Sequence, residues 1–462
     1  MKQRVESVDC RLDIILDNGD IIQLELDKFA ELKNLSNYIT NISIKEELSA
    51  STDNPVGVVS SNTLNLELKS VDKNLMSENK NSPYYGYMND TAIIKIILED
   101  ELGDITFGTW YVDRWYSSIS NRNPYKVTIE AYDLFSSVGK SELPKVKLGG
   151  ELFVKDFLID IFNKYNESIS NINRQINFNE ADLDFSNFPV LQYNNMNVTS
   201  MGDLLNSISQ ATLTNIMWDR NNNVVTDYVG DDTVLDSVCD LDDHVNITDA
   251  QETTGALVNY TGVKVNYAVG TINQPASLVR LDGQTLTEGE NRFDNIRFSG
   301  SVRKINYVDI ITTDNDAVID IKNIDYTKDS LDLILESNKE TACSINIYGQ
   351  TVNNSILFVE KYINDKDKSV LEMNNSIIRK SDVDKFADKM LELITLKSKS
   401  IKLVGWFNPR IKLGDIVHVD IETSTGISPN YYKVMGLEWT ITSTLKCTMR
   451  LMHVVKQEDT IE

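Results

Sequence analysis

The sequence predicts an α+β fold, mainly β, built from two similar β-barrel or sandwich domains with a small α+β module and a β-rich module inserted between them. Three observations predict it. Runs that alternate apolar and polar residues, separated by Gly, Asn, Asp and Ser, fill both ends of the chain. Stripes of apolar residues at helical spacing interrupt them in the middle. A segment near the start is echoed near the end. With 462 residues the chain is long enough for roughly two to four domains. The expected division is a first β-domain over 1–143, an α+β module over 144–238, a second β-domain split between 239–275 and 380–462, and an inserted β-rich module over 276–379.

The first domain begins with "CRLDIILDNGDIIQLEL", in which Cys10, Leu12, Ile14 and Leu16 alternate with polar residues before Asn18-Gly19. Asn-Gly between two alternating runs predicts a hairpin, since both residues accept positive φ. "TLNLELKSV" (63–71) and "TAIIKIILED" (91–100) read as further strands. "FGTWYVDRWYSS" (107–118) packs two Trp, two Tyr and a Phe into ten residues. By strand parity Trp110 and Val112 face one side and Tyr111 the other, joined by Trp115 if no bulge intervenes. Both sides then carry large apolar groups, so this strand is expected to be covered twice: by its own core and by another domain or subunit. Trimer contacts are expected to take up much of the aromatic surface from Trp110 to Tyr116.

"ELFVKDFLIDIFNKY" (151–165) places Val154, Phe157, Leu158, Ile161, Phe162 and Tyr165 on one helical face. "TSMGDLLNSISQA" (199–211) is a second helix, with Ser200 and Asp203 spaced as a capping box. "NIMWDRNNNVVTDYV" is a hairpin turning at Asp219–Asn223. In the Asp-rich stretch 227–252, Asp240-Leu241-Asp242-Asp243-His244 offers neither the alternation nor the Gly of a calcium loop, and the stretch reads as a solvated connector. "GALVNYTGVKVNYAVG" returns to β-structure, and "AVIDIKNI", "SLDLILES" and "CSINIYG" are short strands. "SDVDKFADKMLELI" (381–394) is a helix capped by Ser381 or Asp382. "KSIKLVGWFNP", "LGDIVHVDI", "NYYKVMGLEWTIT" and "LKCTMRLMHVV" complete the second β-domain.

The echo lies between the segments that open at Trp110 and at Tyr431. Each has an aromatic-rich strand, with Val112 or Val434 two residues after Trp110 or Tyr432. Each has a Trp further on (Trp115, Trp439) and a second strand opened by Lys126 or Lys446. Two similar domains in one chain let three chains form a ring of six similar positions.

Chemistry is hard to find. Lys and Arg number 45 against 69 Asp and Glu, a net charge of −24. That sign opposes stable nucleic-acid binding by charge neutralisation. No secretory signal and no membrane span are read from the sequence. Cys10, Cys239, Cys343 and Cys447 are far apart and read as reduced, mostly buried thiols. His244, His418 and His453 have no ligand-spaced partners. No nucleophile elbow, P-loop or dinucleotide fingerprint is present, so no catalytic residue, metal or cofactor is expected.

"NPVGVVSSNTLNLEL" (54–68), "ITFGTWYVDRWYSS" (105–118) and "YKVTIEAYDLF" (125–135) resemble the opening domain of phage tail hub and tail-associated proteins. The matching positions of their Gly-x-aromatic-x-Val and Ala-Tyr-Asp patterns are Gly108, Trp110, Val112, Ala131, Tyr132 and Asp133. Residues 199–225 are similar to the helix and hairpin of the family's second module. "FNPRIKLGDIVHVDI" resembles its Pro-x-x-x-x-Gly-Asp strand through Pro409, Gly414 and Asp415. Residues 275–380 match poorly. The resemblance implies two tube-like β-domains and a homotrimer that joins the tail tube protein to a spike or tip protein beside other baseplate proteins. DNA could pass through its lumen, and the protein would sit in a virion tail or baseplate assembled in the host cytoplasm. It also implies that a lytic appendage is absent or supplied by another chain. Gly108, Trp110, Tyr111, Val112, Trp115, Tyr132, Asp133, Trp406, Pro409, Gly414, Asp415 and Trp439 are expected to build the interfaces or their support. The competing expectations are a carbohydrate-binding or peptidoglycan-hydrolysing tail protein and a hexameric distal tail protein.

Overall fold

The structure is a computed structural model that describes residues 9–26, 37–48, 59, 61–100, 103–118, 125–144, 151–192, 198–229, 237–242, 247–254, 260–327, 329–363, 369–396, 399–421, 430–442 and 444–454. It is α+β and mainly β, as the alternating runs predict. Strands β1 (Asp9–Ile15), β2 (Ile21–Glu25), β3 (Asn37–Glu47), β4 (Thr63–Ser70), β5 (Ile93–Asp100), β6 (Gly103–Ser118) and β7 (Lys126–Tyr132) come first. The α+β module follows with α1 (Phe135–Val138), β8 (Glu151–Phe153), α2 (Val154–Ser168), β9 (Asn177–Phe178), β10 (Val190–Gln192), α3 (Met201–Thr212), β11 (Thr214–Trp218) and β12 (Asn223–Tyr228). Next are β13 (Cys239–Asp242), β14 (Ile247–Thr254), β15 (Gly262–Ile272), β16 (Ala276–Leu286), β17 (Gly289–Arg297), β18 (Val302–Thr312), β19 (Ile319–Tyr326), β20 (Ser330–Ser337), β21 (Thr341–Tyr362) and β22 (Val370–Asn374). The chain ends with α4 (Val383–Leu396), β23 (Lys399–Gly405), β24 (Ile416–Asp420), β25 (Asn430–Ile441) and β26 (Leu445–His453).

The two end regions share one 13-stranded sheet in the order β14-β23-β26-β25-β3-β4-β7-β6-β5-β1-β2, with β24 on β25 and β13 on β24. One apolar core runs through both, from Cys10 and Leu12 to Met449 and Leu451. The first hairpin turns at Gly19, the Gly that takes positive φ (+87°), with Leu16 N–H donating to Asp20 O. Asn18 keeps negative φ, so the loop is longer than the two-residue type that Asn-Gly favours.

In the α+β module the buried side of α2 is the predicted face: Val154, Phe157, Leu158, Ile161, Phe162 and Tyr165. Ser200 Oγ accepts from Asp203 N–H and caps α3. The Asp203 carboxyl is held below its usual range, chiefly by its hydrogen bond with Ser200. Between the β-domains' strands sits a two-lobed body. β15, β22 and the far end of β21 carry α4, whose Val383, Phe386, Ala387 and Met390 pack on Val263, Val265 and Tyr267. β15 falls within 239–275 and α4 within 380–462, yet both pack with this body. The outer lobe is formed by β16, β18 and the near end of β21 with the separate sheet β17-β20-β19. Among the described residues no helix is long and apolar enough to cross a membrane.

Candidate assembly site

β6 carries the aromatic stretch, and two bulges decide where each ring goes. The first lies opposite β5 between Lys95 and Ile97. It holds Phe107 and Gly108, and Gly108 has φ +115°. A Cβ there would lie 2.6 Å from the Trp110 indole nitrogen. The missing side chain is what lets the indole fold back over the strand, and this is the physical content of the Gly-x-aromatic pattern. Trp110 and Val112 enter the shared β core. Tyr111 points the opposite way, into the α+β module core with Leu134, Phe135 and Trp218. Its hydroxyl donates to Asn173 O and accepts from Asn222 Nδ2 at 3.1 Å. Burial pushes the Tyr111 phenol up to about 12. The second cover predicted for this strand is therefore a module of the same chain.

The second bulge opposes β7 between Val112 and Arg114. One extra residue reverses the parity of everything after it. Trp115 thus turns to the side of Trp110, packs against the β core and donates Nε1–H to Leu75 O at 3.0 Å. Tyr116 remains exposed, with its hydroxyl on Glu130.

Tyr132 ends β7 and Asp133 follows it. The Asp133 carboxylate is buried and accepts from Ser61 Oγ at 2.9 Å and Asn62 N–H at 2.8 Å. Burial pushes its carboxyl up to about 7 against these hydrogen bonds. Its work is to tie the segment before β4 to the start of the α+β module.

The other predicted residues gather at the joint between the β-domains. Gly414 has φ +83°, donates its N–H to Val434 O, and leaves Asp415 O to accept from Val434 N–H. Asp415 also accepts from Lys412 N–H, and burial raises its carboxyl. Trp406, directly after β23, is half-buried. Trp439 is fully buried, meets Phe107 edge-on at 5.3 Å, and donates Nε1–H to Glu46 at 3.2 Å.

The organising group here is Arg220, in the turn between β11 and β12. Its guanidinium grips Glu46 of β3 through Nε and Nη2 at 2.8 and 2.6 Å, donates to Ile411 O at 3.0 Å and to Pro409 O, and lies 4.1 Å over the Phe107 ring. One side chain thus joins the α+β module to both β-domains. Sequence reasoning missed it because "DRNNN" reads as a solvated turn.

The repeat extends well beyond the residues that suggested it. β25 and β26 carry the β6–β7 bulge at the same place, between Val434 and Gly436. Lys126 and Lys446 occupy equivalent positions opposite Ser118 and Thr440. Val434 N–H bonds to Asp415 O as Val112 N–H bonds to Ala92 O. β23 pairs with β26 in the register of β4 with β7, and β14 pairs with β23 as β3 does with β4. β3 and β14 each bulge at a threonine, Thr40 or Thr248, whose hydroxyl donates to the carbonyl of Glu67 or Val404. Trp115 and Trp439 are not equivalent: Trp439 corresponds to Ser117 and Trp115 to Leu437.

The equivalence exposes an asymmetry. The second half of β25 accepts β3 from the first repeat, Trp439 opposite Ile44 and Thr440 opposite Ser43. The matching half of β6 pairs with β7 alone among the described strands, and β14, the counterpart of β3, pairs with β23 alone.

Among the described residues no group of His, Cys, Asp or Glu is arranged to hold a metal ion. His244 and Asp243 of the acidic stretch lie outside the described residues, as do residues 54–58 and 60 of the first resembling segment. Cys10, Cys239, Cys343 and Cys447 are buried and form no disulfide. His418 Nδ1 lies 3.3 Å from Asp240.

No protein-family model matches the chain, and no curated protein matches it. Solved structures do. The 43 kDa tail protein of prophage MuSo2 from Shewanella oneidensis is 11% identical, with 98% of each chain covered and a TM-score of 0.51. A tail protein from Neisseria meningitidis MC58 is 10% identical, with 96% of each chain covered and a TM-score of 0.50. This likeness spans the poorly resembling region 275–380 as well as the ends. The chain has the fold of these tail proteins.

Proposed function

We propose that this protein is a structural hub of a phage tail or phage-tail-like baseplate, forming a homotrimeric ring that joins the tail tube to a central spike or tip. The observation that carries the reading is the pair of equivalent β-repeats fused edge to edge, with one such edge left over at each end of the fused unit. The unit β14-β23-β26-β25-β3-β4-β7-β6 has eight strands. Three copies joined by the same kind of contact give a closed wall with six similar positions. At about 4.8 Å per strand and a tilt of roughly 40°, such a wall has a backbone diameter of about 45–50 Å. Three chains present six repeats to a tube of sixfold symmetry and only three inserted bodies to a spike, which suits an adaptor between the two symmetries.

The face of these strands away from the core also fits a passage. Lys126 pairs with Glu67 at 2.7 Å, Lys45 with Glu47 at 3.0 Å, and Arg114 with Glu130 at 3.8 Å. Arg450 shares Glu47. Charges neutralised in pairs offer a nucleic acid no basic track to adhere to. The proposed role is mechanical and needs no catalytic group.

Light scattering on the eluted particle tests the reading. A mass three times 52.3 kDa supports it. Six copies would favour the distal tail protein instead. A monomer at high concentration would overturn the hub assignment, and clearing of cell walls in a zymogram would favour the hydrolytic alternative.

A further inference from the structure

Resting on the ring reading, we propose that the ring closes through one defined strand register. Residues 115–118 of β6 in one chain pair antiparallel with residues 251–254 of β14 in a second copy. Trp115 stands opposite Thr254, Tyr116 opposite Thr253, Ser117 opposite Glu252 and Ser118 opposite Gln251.

The register follows from the internal repeat. Past the shared bulge, Trp115, Tyr116, Ser117 and Ser118 correspond to Leu437, Glu438, Trp439 and Thr440. Counted from the shared threonine bulge, Gln251, Glu252, Thr253 and Thr254 correspond to Ser43, Ile44, Lys45 and Glu46. Within the chain, Leu437, Glu438, Trp439 and Thr440 lie opposite Glu46, Lys45, Ile44 and Ser43. Carrying that contact from the internal joint to the two leftover edges yields the four pairs.

The nearby loop leaves the β6 edge free for this. Leu75 O accepts from the Trp115 indole and Ser77 N–H donates to Ser117 Oγ, so residues 71–92 hold side chains on the core side. Among the described residues no loop backbone group bonds to the backbone of 114–118. An unpaired strand edge is a template for another strand, and a short one with an exposed Arg114 resists promiscuous pairing.

The two joints differ in chemistry as a permanent and an assembled contact should. The internal one holds Trp439, Leu437 and the buried Glu46–Arg220 pair. The external one substitutes Ser117 for Trp439 and Thr254 for Glu46. The chain can therefore fold without its neighbours and meet them afterwards.

Paired cysteines test the register in the full-length chain. Ser118→Cys with Gln251→Cys is oxidised under mild conditions; the four native thiols are buried and do not compete. Covalent dimers and closed trimers are expected from the double variant and from neither single variant. Ser118→Cys with Asp249→Cys, two residues out of register, should couple less by more than about fivefold, since that separation exceeds the reach of a disulfide. Tyr116→Cys with Thr253→Cys is the second in-register pair, used if the first destabilises the monomer. A trimer by light scattering whose out-of-register pair couples as well or better overturns this register while the ring reading stands. A monomer that couples at neither pair overturns both.

Discussion

At Gly108 one absent carbon decides where an indole goes. Alanine there must hold φ +115° and place a methyl 2.6 Å from Trp110 Nε1. Backbone strain and overpacking add, so Gly108→Ala is expected to cost about 2–4 kcal/mol, read as a lower denaturant midpoint. Arg220 is the next such residue. Arg220→Met leaves Glu46 buried without its partner and should cost about 3–5 kcal/mol, whereas Glu46→Gln combined with it should recover part of the loss. Additive losses would show that the two side chains act separately. Asp133 brings a pH dependence. Burial raises its folded carboxyl from 3.8 to about 7, so the stability it contributes is full below about 3.8 and is lost as pH rises through about 7. The stability of the wild type relative to Asp133→Asn should therefore fall between pH 4 and pH 8, by an amount on the order of 3–4 kcal/mol. A flat difference across that range would mean that the hydrogen bonds from Ser61 and Asn62, not desolvation, set its charge.

Elements show what was legible in the sequence and what was not. The face of α2 could be read residue for residue, because helical spacing is local and every apolar position on it is buried. Val112 with Val434 and Lys126 with Lys446 were legible as a repeat, and the shared bulge now explains their spacing. Trp115 was assignable only conditionally, since a bulge is decided by the partner strand. Arg220 was illegible for the same reason on a larger scale: Glu46 is 174 residues away, and nothing around Arg220 announces that its turn is buried. The bulge makes its own prediction. Deleting Asp113 closes the bulge, and simple alternation from Val112 onward then keeps Trp115 and Ser117 on the core face with their β7 partners unchanged. The variant should therefore keep the cooperative unfolding of the first β-domain, seen by tryptophan fluorescence, with only a modest loss of stability. Ser200→Ala removes the cap of α3 and should cost about 1 kcal/mol without altering the β-domains.

For the whole molecule, the question is which part holds copies together. The outer lobe of the inserted body presents its own exposed apolar groups, including Tyr307 and Ile311 on β18, so it is a rival surface for self-association. The eight-stranded unit and the outer lobe can be separated cleanly. Ile272 at the end of β15 lies opposite Val352 on β21. Replacing residues 273–351 with Asn-Gly therefore joins two strands already at hairpin distance and removes the outer lobe with its separate core. The inner lobe keeps β15, β22 and α4, whose packing on Val263, Val265 and Tyr267 does not draw on the excised residues. If the β edges close the ring, the shortened chain still elutes as a trimer, with the mass per chain reduced by the excised segment. If copies are held by the outer lobe instead, the shortened chain runs as a folded monomer. The same particle also separates the two ends of the proposed adaptor: with the outer lobe gone, attachment to the spike or tip should weaken while attachment to the tube, made by the β-repeats, should persist.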